Sequence, residues 1–138
     1  MSRLPVIVDT NVVVAGLLTG NPGSPVARVL DGMLSAAFPF VVSMELLAEY
    51  RRVLVRPALR KLHGLTMTEV DILLTDIAQH AIVMTSAVGS AAPDPGDQLL
   101  WDLLATRSDL VLVTGDRALL SDRAMQSRVI SPRDFVES

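Results

Sequence analysis

The sequence predicts an α/β fold, a three-layer α/β/α sandwich whose central sheet is mainly parallel. Short apolar segments rich in β-branched residues alternate with segments of helical periodicity along the chain. The candidate strands are apolar at nearly every position, which is typical of strands buried on both faces of a parallel sheet. No repeat or linker-like stretch interrupts the 138 residues, so we expect a single domain over residues 1–138.

The N-terminal third is predicted to hold one strand and two helices. Residues 4–8 form a short apolar run, and residues 11–18 continue as a helix. Ser24 and Pro25 then provide an N-cap and a proline at the first helical position, which marks the start of the second helix. Its apolar face is formed by Val26, Val29, Leu30 and Met33.

A second strand is predicted at residues 38–42, and Ser43 is placed to cap the helix that follows. Pro57 is expected to end or bend that helix, because proline lacks the backbone N–H that a helix interior needs. The apolar side of the helix is formed by Leu46, Leu47, Tyr50 and Leu54.

The C-terminal half continues the alternation of helices and strands. Thr66 and Glu69 form a capping box before a helix with an apolar face. A third strand is predicted at residues 81–84, and Asp94 with Pro95 starts another helix. The remaining predicted elements are a strand at 110–113, a short helix at 118–121 and a last strand at 129–130.

Composition excludes several classes of function. The chain has no cysteine, which removes disulfides, thiolate zinc sites and a cysteine nucleophile, and fits a reducing cytoplasm. No apolar run reaches the roughly 18 residues of a membrane span, and the N-terminus does not resemble a signal peptide. The net charge of -3 argues against a general nucleic-acid binder, although five of the twelve basic residues cluster between positions 51 and 61.

Acidic residues stand where active sites of open α/β sheets collect, beyond the carboxyl ends of the strands. Asp9 follows the first predicted strand directly, and Asp116 follows the fourth across a Thr-Gly turn. Glu49 lies about two turns into the helix after the second strand, and Asp97 in the first turn of the helix before the fourth. If these strands are central and parallel, the four carboxylates converge at one edge of the sheet.

Such convergence is costly without cations, because like charges a few ångströms apart repel each other by roughly 1–4 kcal/mol per pair. The acids would therefore either take up protons or bind metal. Oxygen ligands without histidine or cysteine select Mg²⁺ or Mn²⁺. The two histidines, His63 and His80, show no ligand spacing and receive no role. A divalent ion held by carboxylates fits the hydrolysis of a phosphodiester bond.

Four motifs in this order resemble those of PIN domains, and together they cover nearly the whole chain. They are VIVDTN at residues 6–11, SMELLAE at 43–49, DPGD at 94–97 and LVTGD at 112–116. The resemblance implies a PIN-like α/β/α sandwich that binds Mg²⁺ or Mn²⁺ and cuts RNA as an endoribonuclease. It also implies the toxin of a toxin–antitoxin pair, similar to VapC-like proteins, with an antitoxin partner and a homodimeric assembly.

The same motif positions imply roles for individual residues. Asp9, Glu49, Asp97 and Asp116 would be the catalytic and metal-binding acids. Asn11 and Thr114 would be polar supports beside them, with Glu45 and Asp94 as further secondary candidates. Arg51, Arg52 and Arg56 are candidates for guiding an RNA backbone.

Each of these residues also has a purely structural interpretation. Asp9, Asp94 and Asp116 are all placed to cap the helix that follows them. Glu45 shares a helix face with Glu49 and suits the first turn through the helix dipole alone, and the dipole also suits Asp97. Glu49 could be a solvated surface acid or a partner for Arg52. The arginine cluster is equally well explained as a solvated face, and Asn11 and Thr114 as partners of local backbone groups.

Two alternatives to a nuclease remain open. A catalytically inactive PIN-fold module would bind RNA or protein without cleaving it. A phosphatase or phosphoryl-accepting domain would use Asp9 as a nucleophile, but that chemistry usually needs a second acid two residues later and a lysine near a later strand. Position 11 is Asn11, and the single lysine is Lys61.

Overall fold

The computed structural model describes residues 4–138, so residues 1–3 of the predicted domain lie outside it. Its five strands are β1 (Val6–Val8), β2 (Val41–Val42), β3 (Ile82–Val83), β4 (Val111–Val113) and β5 (Val129–Ile130). Its eight α-helices are α1 (Thr10–Leu18), α2 (Pro25–Leu34), α3 (Met44–Leu54), α4 (Pro57–His63), α5 (Met67–His80), α6 (Gln98–Leu104), α7 (Arg117–Leu120) and α8 (Pro132–Glu137). Two 3₁₀ segments, Pro95–Asp97 and Arg123–Arg128, precede α6 and β5.

All strand pairings in the described part of the chain are parallel. One sheet has the order β1-β4-β5, and β2 pairs with β3. A parallel bridge pairs Val6 of β1 with Phe40, the residue just before β2, so that β1 and β2 are neighbours. The strands therefore lie in the spatial order β3-β2-β1-β4-β5, and the expected α/β fold with a parallel sheet is confirmed.

Burial of the central strands explains why they are apolar throughout. Successive side chains of a strand point to opposite faces of the sheet, yet Val6, Ile7 and Val8 are all buried. Both faces of β1 are thus covered, as expected for a parallel sheet between helices. The core is mainly aliphatic, and Trp101 of α6 is packed into it rather than exposed to a ligand.

The predicted helix starts are found in the structure. Ser24, Ser43 and Thr66 each accept a hydrogen bond from a backbone N–H in the first turn of α2, α3 and α5, and Thr66 forms the full capping box with Glu69. These residues fix the directions in which the three helices leave the loops before them.

Two parts of the predicted element order were incomplete. Pro57 does follow the end of α3, but it also opens a further helix, α4, which the sequence interpretation omitted. The chain was predicted to finish at β5, whereas α8 follows and buries Phe135 and Val136. Proline fits the first position of a helix because the N–H it lacks would have no partner there.

Within residues 4–138, no helix is both long enough and apolar enough to cross a membrane.

Candidate active site

The strand order places a crevice between the carboxyl ends of β1 and β4. The chain leaves β1 toward β2 on one side of the sheet and later enters β4 on the other, so the order reverses at this point. Ligand sites of open α/β sheets lie in such crevices. Val8 is paired with Val113, and the backbone N–H of Asp9 donates to Val113 O at 2.9 Å. The residues that follow β1 and β4 therefore leave the sheet side by side.

Asp9 is held by polar side chains from both strand ends. Thr114 Oγ1 donates to Asp9 Oδ2 at 2.8 Å, and Asn11 Nδ2 donates to the same oxygen at 3.3 Å. Asn11 also accepts from the backbone N–H of Gly115 at 3.3 Å, which ties α1 to the loop after β4. Asp9 stands at the N-cap position of α1, but its side chain makes no capping hydrogen bond. Capping therefore does not account for this buried carboxyl.

Glu49 approaches the same crevice from α3. Thr10 Oγ1 donates to Glu49 Oε2 at 2.5 Å, and Arg52 Nη2 lies 3.7 Å from Oε1. Both oxygens of Glu49 thus have a partner, and its side chain is 19% exposed. Glu45, the other acid on this helix, is exposed and does not line the pocket.

The remaining acids lie on the loops before α6 and α7. Asp116 accepts from the backbone N–H of Ala118 at 2.9 Å and caps α7. Asp94 accepts from Gly96 N at 2.8 Å and caps the 3₁₀ turn. Asp97, at the N-cap position of α6, makes no such bond and is half-buried. The capping interpretation therefore accounts for one oxygen of Asp94 and for one oxygen of Asp116.

These elements enclose one pocket with a volume of about 470 Å³. Its polar half contains Asp9, Thr10, Asn11, Glu49, Gly96, Asp97 and Asp116. Its apolar half contains Val14, Ala15, Leu18, Val53 and Leu100. Asp94 is exposed and lies just outside the lining, beside Asp97.

The pocket does not present a finished metal-binding group. Among the side chains of residues 4–138, no three acids or histidines come together closely enough to hold an ion. The donor set nevertheless fits a hard divalent cation in its chemistry, because every acidic group lining the pocket offers carboxylate oxygens alone.

The acids influence one another across the pocket. Burial raises the pKa of Asp9 to about 6, repulsion from Asp97 and Glu49 adds to the rise, and the Thr114 hydrogen bond opposes it. Burial also raises the pKa of Asp97, together with the charges of Asp94, Asp116 and Glu49. Ionised Asp9 and Asp97 are both disfavoured here, which is the situation that a bound cation relieves.

Tyr50 is a buried neighbour whose position the sequence interpretation did not connect to the site. It was assigned to the apolar side of its helix, and it is indeed fully buried, but its hydroxyl donates to Val8 O at the end of β1. Burial raises the pKa of Tyr50 well above its ordinary value, and the charges of Asp9 and Glu49 add to this shift. Tyr50 therefore stays protonated and fixes α3 against the strand that carries Asp9.

The basic candidates are not gathered around the pocket. Arg51 Nε donates to Asp71 Oδ1 of α5 at 2.8 Å, on a different groove of the surface. Arg56 is exposed at the start of α4, and neither arginine lines the pocket. Arg52 reaches the site through its contact with Glu49.

The histidines have structural partners. His63 Nε2 lies 2.8 Å from Leu54 O, and His80 Nδ1 lies 2.8 Å from Asp76 O. Neither ring lines the acidic pocket.

Comparison with known families agrees with the fold. The family model for the PIN domain matches residues 5–118, a range that contains β1 to β4 and all four pocket acids. The chain belongs to the PIN-domain family. PIN domains are generally nucleases and typically use divalent metal ions. No curated relative matches the chain.

Proposed function

We propose that the protein is a Mg²⁺- or Mn²⁺-dependent endoribonuclease that hydrolyses RNA phosphodiester bonds in this pocket. The observation that carries the proposal is the meeting of Asp9, Glu49, Asp97 and Asp116 in one pocket at the reversal point of a PIN-family sheet. The four acids come from four separate segments of the chain. Acids that share a pocket disfavour one another's ionisation, so their meeting supports a function that uses cations.

The four acids are the residues that would hold the ion. When bound, a divalent cation supplies charge stabilisation for the phosphoryl oxygens and an acidified water as nucleophile. The chain itself supplies orientation. Thr114 and Asn11 fix the direction of the Asp9 carboxyl, and Thr10 fixes that of Glu49. Partners of this kind hold ligand side chains in place.

A test of this function compares RNA cleavage in Mn²⁺, in Mg²⁺ and in excess EDTA. The wild-type protein should cut single-stranded RNA with either ion and not in EDTA. Asp9→Asn and Asp116→Asn should each lower kcat/KM by at least about 100-fold, because each removes a charged ligand. Asp31→Asn, an exposed acid of α2, is the matched control and should cut as the wild type does. Full cleavage by both pocket variants would contradict the assigned roles.

A catalytically inactive binding module is the second candidate, and one observation favours it. The acids of the described chain do not form a ready group of three around an ion. Binding of Mn²⁺ in calorimetry, with no cleavage of any RNA tested, would support the module and exclude the nuclease.

We also propose that the nuclease is the toxin of a toxin–antitoxin pair, acts in the cytoplasm as a homodimer, and is blocked by an antitoxin protein. This rests on the resemblance of the four motifs to PIN domains, which implies a toxin similar to VapC-like proteins. Induced expression should arrest growth, and Asp116→Asn should not. A short upstream gene for a DNA-binding antitoxin, whose product restores growth on co-expression, is the expected companion. Normal growth under wild-type expression would contradict the toxin role.

A further inference from the structure

The apolar half of the pocket has no part in the proposed metal chemistry. Helix α1 contributes Val14, Ala15 and Leu18 to it, α3 contributes Val53, and α6 contributes Leu100. Leu100 is buried, whereas the other four are only half-buried. We call these five residues the apolar wall. Its members leave aliphatic surface in a concave place where a ligand would cover it.

The apolar wall begins at the acids and runs away from them. On α1, Asn11, Val14, Ala15 and Leu18 are spaced by three or four residues and share one helix face, which rises about 10 Å from end to end. On α3, Val53 lies one turn beyond Glu49 on the same face. Each helix thus offers a polar residue at the acidic end and aliphatic residues farther along.

The chemistry of the apolar wall restricts what it binds. Its side chains carry no charge and no hydrogen-bonding group, so they can bind neither a phosphate nor a sugar hydroxyl. They can cover a flat, weakly polar group of a ligand whose other end is bound at the acids. A nucleotide has this division, with its phosphate at one end and its base at the other. The pocket volume of about 470 Å³ lies within the usual range for small-ligand sites.

We propose that the apolar wall is a nucleobase subsite, which receives one unpaired base next to the phosphate that is cleaved. This inference rests on the proposed ribonuclease function and adds to its pocket a place for one base of the RNA. A base inside a duplex is stacked and cannot enter a pocket unless it leaves the helix. Because the wall offers no hydrogen-bonding side chain, the subsite should discriminate little among the four bases.

The test is a double-mutant cycle between the protein and the RNA. The substrates are single-stranded oligonucleotides that each carry one abasic position, at a different distance from the cleavage site in each. The wild type, Val53→Asn and Leu18→Asn are assayed on all of them. On intact RNA, each variant should lower kcat/KM by about 10-fold, a typical effect of disturbing one apolar contact in a pocket. When the abasic site stands at one fixed position, kcat/KM of the wild type should also fall by about 10-fold relative to intact RNA. At that position kcat/KM of each variant should be the same on abasic and intact RNA.

The matched control is Leu73→Asn, which changes a half-buried leucine of α5 outside this pocket. It should cut intact and abasic RNA as the wild type does. Thermal melting checks that each variant is folded. Because the two wall variants lie on different helices, one can still be tested if the other does not fold.

The outcomes separate this inference from the function it rests on. Cleavage by the wild type, with additive effects of wall variants and abasic sites at every position, would overturn the nucleobase subsite and leave the nuclease intact. Such a result would indicate that the apolar wall receives a protein side chain or nothing. If the wild type cut no RNA at all, both proposals would be contradicted.

Discussion

At the scale of single residues, the carboxyl group of Asp9 occupies a place that opposes its ionisation. It is 8% exposed, and its pKa is raised to about 6 from an ordinary 3.8. Between these two values the folded state binds more protons than the unfolded state, so the free energy of unfolding falls as pH rises through the window. A shift of this size corresponds to about 3 kcal/mol of lost stability above pH 6 when no cation is bound.

Asp9→Asn should therefore stabilise the metal-free protein at pH 7.5, by up to about 3 kcal/mol. The asparagine carries no charge and can still accept the hydrogen bond of Thr114. The gain should shrink toward zero as pH falls from 6 to 4, where Asp9 itself becomes neutral. Urea denaturation in EDTA across this range measures it, with Asp31→Asn as the control. A variant less stable than the wild type at pH 7.5 would show that ionised Asp9 has a structural role.

Thr10 is the residue whose importance local sequence rules do not reveal. Its hydroxyl reaches Glu49 across 39 positions of the chain. Thr10→Val preserves the shape of the side chain but removes the donor, and should weaken Mn²⁺ binding and cleavage by about 10- to 100-fold. Thr10→Ser keeps the hydroxyl and should stay within a few-fold of the wild type. Calorimetry with Mn²⁺ measures whether the affinity for the ion has fallen, and the melting temperature shows whether the variant is still folded. Equal effects of both substitutions would contradict the orienting role of the hydroxyl.

At the scale of elements, helix α1 has two structural roles. Its first turn supplies Thr10 and Asn11 to the site, and its middle packs closely on α2. A Cβ added at Gly16 would lie 2.6 Å from Val26 O and 2.9 Å from Leu30 Cβ. The approach of α2 therefore depends on the missing side chain at Gly16, and it fixes the helix that lines both halves of the pocket.

Gly16→Ala should destabilise the protein by about 1–3 kcal/mol, because backbone must move to admit the methyl group. Helix propensity alone predicts the opposite, a gain of about 1 kcal/mol. The control is Gly20→Ala, where an added Cβ meets nothing within 4 Å. It should change the free energy of unfolding by less than about 0.5 kcal/mol. Urea denaturation measures whether the free energy of unfolding falls or rises. A more stable Gly16→Ala protein would show that a methyl group fits between α1 and α2.

The sequence predicted those elements whose signals are local. Strands on the buried sheet and caps such as Ser24 follow from periodicity and from the chemistry of a few neighbouring residues. The omitted helix α8 begins with Ser131 and Pro132, the same signature that correctly marked α2, so that signal was present in the sequence.

The contacts that the candidate residues make were less accessible from the sequence. The pairing of Arg51 with Asp71, and the contact of Thr10 with Glu49, join residues from different helices. Such contacts depend on how the elements pack, which no local pattern encodes. The positions of the acids at strand ends could be predicted because topology, and not side-chain packing, determines them.

At the scale of the whole molecule, the strand order is what brings distant acids together. Asp9 and Asp116 are 107 positions apart by their numbers, yet they line one pocket because β1 and β4 are adjacent and parallel. The net charge of -3 is thus unevenly distributed, with part of the negative charge concentrated at this edge. A divalent ion bound only by the folded state would raise the stability of the entire domain.

Cation binding should also depend on pH. Protons compete with the ion for Asp9, whose pKa in the ion-free protein is about 6, so affinity should be about 10-fold lower at pH 5 than at pH 7. The shift of melting temperature produced by Mn²⁺ should shrink accordingly. A shift of the same size at both pH values would exclude Asp9 from the binding equilibrium.

The most direct measurement is a calorimetric titration of the wild type and of Asp97→Asn with Mn²⁺ at pH 7.5, with Asp31→Asn as the control. The pocket proposed here predicts saturable binding by the wild type and the control, and an affinity at least about 10-fold lower for Asp97→Asn. No saturable binding by the wild type, or equal affinity in all three proteins, would contradict a divalent-ion site built from these carboxylates.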